Sequence, residues 1–135
     1  SMREIKFRAW HKYGKSAVPA IPGMVYDKNP GDCLTWLNQG QEIESVMQYT
    51  GLEDRNGVEI YEGDIVTIWH EELFCEGEQT GVIEWGLDGG WIIVFDSVSM
   101  FLTSIDWGYA YPLSIGNIYE NPDLLSTAPG DEEGT

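Results

Sequence analysis

The chain has 135 residues and a formal charge of −16, from 7 Lys and Arg against 23 Asp and Glu. Apolar residues make up 42%, enough for a core without a metal or disulfide framework, and no run approaches the length of about 18 apolar residues that a membrane span needs. All seven basic residues lie at or before Arg55, and residues 56–135 hold acids with no Lys or Arg. A surface of that kind repels phosphate backbones, so direct DNA binding is not expected, and it would steer a basic partner.

Two further readings come from composition. Arg3, Glu4, Lys6 and Arg8 bring charge at once with no apolar stretch behind them, which does not read as a signal peptide. Cys33 and Cys75 have neither metal-ligand nor redox spacing, and two free thiols in a reducing cytoplasm is the simplest reading.

Residues 3–10 alternate strictly, with Ile5, Phe7 and Ala9 on one face and Glu4, Lys6 and Arg8 on the other, the period of a half-buried strand. Residues 11–32, with three Pro and three Gly, read as loop with a short strand at Met24–Tyr26. Residues 33–46 fit either strand fragments or one helical turn. Asn56-Gly57 and Gly63-Asp64 are turn signals. The run 64–70 reads as a strand buried on both faces, followed by an acidic loop over 71–80.

Gly81–Trp85 and Trp91–Asp96, joined through Asp88-Gly89, form a hairpin signal. Phe101–Ile105 and Tyr111–Ile118 read as further strands. Asn121-Pro122 starts about one turn of helix, through Leu125. Residues 126–135 read as an acidic solvated tail. Closely spaced strands without a long helical period predict an all-β chain, mainly β with short helical segments, as a small SH3-like barrel plus an N-terminal strand region. The expected division is 1–45 as a strand and loop region packed on the barrel, 46–125 as the barrel with its short helix, and 126–135 as the tail. Val66, Ile68, Ile83, Ile93 and Phe95 are the expected core, joined by at least half of Trp69, Trp85 and Trp91.

The chemical motifs mostly dissolve on inspection. His70-Glu71 opens like a zinc-protease helix, but the second ligand position holds Phe74. Asp54-Arg-Asn56-Gly57 resembles part of a calcium loop, but its outer ligand positions fall on Leu52 and Gly63, so the turn reads as structural. A Cys75–His70 nucleophile has no geometric warrant in the sequence, and Cys75 beside Phe74 reads as a small buried hydrophobe. No catalytic, cofactor-binding or metal-ligating residue is assigned, and no cofactor is expected.

What remains is a surface. Glu71, Glu72, Glu76 and Glu78 lie in the acidic loop, with Trp85 and Trp91 on nearby strands. An acidic loop beside aromatic residues makes a groove for an extended basic or Pro-rich peptide in SH3-like barrels, so these six residues are the candidate partner-binding set. Lys6, Arg8, Lys12 and Lys15 near Trp10 form a weak basic patch, better suited to pairing with the chain's own acids.

Several segments then carry a resemblance: Met2-Arg-Glu-Ile-Lys-Phe-Arg-Ala-Trp10, Met47-Gln-Tyr-Thr-Gly-Leu52 continuing to Val66, and Ile115-Gly-Asn-Ile-Tyr-Glu-Asn-Pro-Asp-Leu-Leu125. These blocks, in this order, resemble the YopX-like family of phages and prophages of mainly Gram-positive bacteria. The resemblance implies a small mainly-β protein with an SH3-like part and no enzyme activity or cofactor. Tyr49, Tyr61 and Tyr119 read as ties between the blocks.

Two functions stand against each other. The first is a phage or prophage accessory protein acting as a non-catalytic acidic module that docks a basic protein or peptide, with a DNA mimic as a special form. The second is a small metal-dependent or thiol hydrolase using the acidic loop with His70 and Cys75. No membrane association is expected, and homo-oligomerisation is left open.

Overall fold

A computed structural model describes residues 4–69, 78–96, 98–102 and 112–125, the Trp69 side chain excepted. The chain divides into two compact units, Ser1–Leu52 and Glu53–Thr135. It is mainly β, as its alternating patterns require.

In the first unit β1 (Phe7–Ala17) lies between β2 (Ala20–Tyr26) and β3 (Ile43–Glu53), antiparallel to both. A helix, α1 (Asp32–Asn38), connects β2 to β3. Residues 11–17 and 20–23, expected as loop, are therefore strand. Ala17 pairs with Ala20 and Arg8 with Tyr26, and those ladder bonds override the Gly and Pro content. Gly14 and Gly23 permit the approach, because a Cβ on Gly14 would sit 2.8 Å from the Gly23 carbonyl oxygen.

The strand also begins later than its alternation suggested. Ile5 is 52% exposed, whereas Arg8 and Ala9 are both buried. Pairing with β3 is regular from Phe7 to Trp10 and shifts register between Trp10 and His11. Of the two readings of residues 33–46, both apply in turn: the helix runs to Asn38 and β3 begins at Ile43.

The second unit begins with a turn. The Asp54 Oδ1 accepts the N–H groups of Asn56 and Val58 at 2.8 and 2.9 Å, and Gly57 has φ 80°. β4 (Glu59–Tyr61) follows, then the corner at Gly63, then β5 (Asp64–Trp69). At that corner Asp64 Oδ2 accepts the Tyr61 N–H at 2.8 Å, and Gly63 has φ 88°. β6 (Glu78–Trp85), β7 (Trp91–Val94), β8 (Ser99–Phe101) and β9 (Leu113–Asn117) complete a five-stranded antiparallel sheet, in the order β8-β7-β6-β5-β9. It curls as a half-barrel, the small barrel part that the strand spacing predicted.

β6 starts three residues earlier than expected because Glu78, Gln79 and Thr80 pair with Trp69, Ile68 and Thr67 of β5. The 3-10 turn Pro122–Leu125 stands where the short helix was expected. The Asn121 side chain turns back, its Oδ1 accepting the Asn117 N–H at 3.2 Å.

The five non-Trp residues expected in the core are all buried. Val66, Ile68, Ile83 and Ile93 are fully enclosed and Phe95 nearly so, and Ile60, Ile65 and Leu102 are buried as well. Residues Ile65 to Ile68 are buried consecutively, which is burial on both faces of β5. The expected Trp contribution is not there among the described residues. Trp10, Trp36 and Trp91 are half-buried and Trp85 is exposed. Compact branched aliphatics fill this small interior in their place. Tyr49 and Tyr61 are buried and Tyr119 is half-buried.

Candidate functional site

Of the six candidate residues, Glu78, Trp85 and Trp91 are described. Glu71, Glu72 and Glu76, like His70 and Cys75, lie outside the described residues.

Trp85 and Trp91 are placed by the hairpin between β6 and β7. Gly86 donates its N–H to the Gly90 carbonyl at 2.8 Å, and Gly89 donates to the Gly86 carbonyl at 3.0 Å. This closed loop sets Trp85 opposite Trp91. Their rings meet edge to face, with centroids 4.9 Å apart and an interplanar angle of 78°, the geometry that the aromatic quadrupole favours. They follow the buried pair Ile83 and Ile93 along one face of the sheet. Trp85 nevertheless keeps 56% of its surface in water.

Glu78 is elsewhere. It opens β6 and Trp85 closes it, roughly 23 Å apart at the rise of an extended strand. They are seven positions apart, an odd offset, so alternation puts them on opposite faces. The structure therefore brings the two Trp together and does not bring Glu78 to them.

Glu78 instead lines a groove of about 430 Å³ with Thr80, Val82, Val94, Asp96, Leu124 and Leu125 among its walls. Val82 and Val94 are a cross-strand pair, and the two leucines come from the 3-10 turn. Phe95 adds to its apolar lining, and its charged side chains, Glu78 and Asp96, are both acidic. Sequence reasoning missed Asp96, Val82, Val94, Leu124 and Leu125. Strand alternation of Val82 with Glu78 and Glu84 was the available signal, but nothing local linked it to residues 124–125.

A second cluster of polar chemistry, in the first unit, is structural. The Asp27 carboxylate accepts N–H groups from Phe7 and Gly31 on Oδ2, each at 3.0 Å, and from Cys33 on Oδ1 at 2.8 Å. Burial pushes this carboxyl up, but those donors outweigh it and hold the group below its ordinary range. The Cys33 thiol is fully buried and free, 3.7 Å from the Phe7 carbonyl oxygen and 3.8 Å from that of Val25. Burial, and after it the Asp27 and Asp32 carboxylates, push it up to about 12. Such a thiol is a poor nucleophile and metal ligand. Among the described residues no group of three or more His, Cys, Asp or Glu is placed to hold a metal ion, and no helix is long and apolar enough to cross a membrane.

The family model described as YopX protein matches residues 6–126. Among solved structures the chain is similar to protein EF1440 from Enterococcus faecalis, with 26% identity and a TM-score of 0.55 over 92% of this chain and 99% of that one. No curated protein matches the chain.

Proposed function

We propose, from the premise that this chain belongs to the YopX family, that it is a phage-type accessory protein which acts by docking a basic protein or peptide and not by catalysis. One observation carries the reading. Across the hairpin of β6 and β7, the charged residues Glu78, Glu84, Asp88 and Asp96 are all acidic and all exposed, and Trp85 stands beside Trp91 with more than half of its surface in water. Glu78 and Glu84 stand on the face of β6 opposite Trp85, so the hairpin carries charge of one sign around an exposed aromatic side chain, which suits a partner of the opposite sign. The steering comes from charge and the anchoring from the aromatic ring, since Trp dominates interface energetics where charge mainly sets on-rate.

The test is capture from a host lysate on the immobilised full chain, at low salt and again at high salt. Basic proteins retained at low salt, released as screening grows and lost with Trp85→Ala support docking. Retention of acidic or neutral proteins only, or no capture at low salt, overturns it.

A further inference from the structure

We infer that the groove between the 3-10 turn and the outer face of β6 and β7 is a seat for an extended peptide segment in which lysines or arginines alternate with aliphatic residues. This rests on the docking reading above for a basic partner, and it adds a second contact for that partner, on the face of β6 and β7 opposite Trp85. Three observations on the same few residues carry it.

The first is shape and composition. The groove's volume of about 430 Å³ lies within the range of small-ligand and side-chain pockets. Val82, Val94, Leu124 and Leu125 supply its apolar wall, and Leu125 is left 43% exposed. An aliphatic side chain entering there removes apolar surface from water on both partners.

The second is charge. Glu78 and Asp96 are exposed at the groove, and the next charged position along the outer face of β6 is Glu84, also acidic and exposed. A cation on either side of the buried aliphatic residue meets a carboxylate without either charge leaving water, so no desolvation penalty opposes binding.

The third excludes the nearer occupants. The chain's own residues 126–135 contain Asp131, Glu132 and Glu133 and no Lys or Arg, so they repel this rim. A second copy offers cations only up to Arg55, and of these Lys6 and Lys12 are ion-paired with Glu4 and Glu42 of its own folded first unit. The fitting occupant is a cationic segment of another protein.

The experiment uses the purified full chain and three fluorescent, end-capped twelve-residue peptides: alternating Lys-Leu, alternating Lys-Ser and alternating Glu-Leu. Binding is read by anisotropy at low and moderate salt, and folding of each variant by far-ultraviolet circular dichroism. Lys-Leu should bind at least about tenfold more tightly than Lys-Ser, and Glu-Leu should not bind. Leu125→Ser should bring Lys-Leu to the level of Lys-Ser. The double change Glu78→Gln with Asp96→Asn, at two exposed positions where folding is not at stake, should weaken Lys-Leu and flatten its salt dependence.

Equal affinity for Lys-Leu and Lys-Ser, or Lys-Leu binding indifferent to both sets of changes, overturns the groove. If Lys-Leu binds and only Trp85→Ala weakens it, the groove is wrong and the docking reading stands. If neither cationic peptide binds at low salt, both fail.

Discussion

Asp27 and Cys33 are bound to each other as cap and seal. The carboxylate of Asp27 takes the amide N–H of Cys33 at 2.8 Å as the chain turns into α1, and the Cys33 thiol closes the space beneath β1 and β2. Phe7 adds a reciprocal pair, its N–H donating to Asp27 Oδ2 and its carbonyl accepting the Asp27 N–H, each at 3.0 Å. A helix of seven residues is too short to hold itself, so this cradle and its packing maintain it.

The Asp27 cradle makes stability acid-sensitive. Its folded carboxyl is held below the ordinary value of 3.8, so the stabilisation is present above that value and is lost as pH falls through the folded one. Urea midpoints measured from pH 7 downward should decline on the acid side. Asp27→Asn should lower the midpoint at pH 7 and reduce that decline. An identical acid slope in the variant would refute the assignment.

Cys33 should be unreactive while the chain is folded. Its thiol is raised from 9.0 to about 12, so stability from this group is full below about pH 9 and is lost progressively as pH rises toward the folded value. Iodoacetamide at pH 8 should label Cys33 slowly in the native protein and rapidly in urea, read by peptide mass. Fast native labelling would show that the site opens.

Ile93→Ala should destabilise the second unit by about 2–5 kcal/mol, the usual cost of emptying a fully buried aliphatic position. Ile93 is fully buried and pairs with Ile83, which is also fully buried. Denaturant unfolding checks this, and a loss of less than about half a kcal/mol would be outside the range for a core site.

Gly81→Ala should also destabilise, for the opposite reason. The new Cβ would lie 2.5 Å from the Ile93 Cγ2 and 2.9 Å from the Val94 carbonyl oxygen, and overpacking of this kind costs about 1–3 kcal/mol. Pairing it with Ile93→Ala should cost less than the sum of the two single changes, because that change removes the crowding Cγ2.

Local chemistry was written in the sequence. The hairpin from Trp85 to Trp91 follows from two apolar runs around Asp88-Gly89, because a tight connection sets its own register. The turn at Asn56-Gly57 and the core at Ile83 and Ile93 follow equally from turn preference and period two. What depends on a distant partner was not written there. Asp54 looks like a turn residue, yet its Oδ2 also accepts the Ser114 N–H at 2.9 Å, sixty positions away. Glu78 reads as part of an acidic loop, but pairing with Trp69 makes it the first residue of β6. That pairing, through strand alternation, sends Glu78 to the opposite face from Trp85 and into a groove closed by Leu124 and Leu125. Periodicity reports which way a side chain faces within a strand, whereas the partner strand decides where that strand begins, and so which residues share a surface.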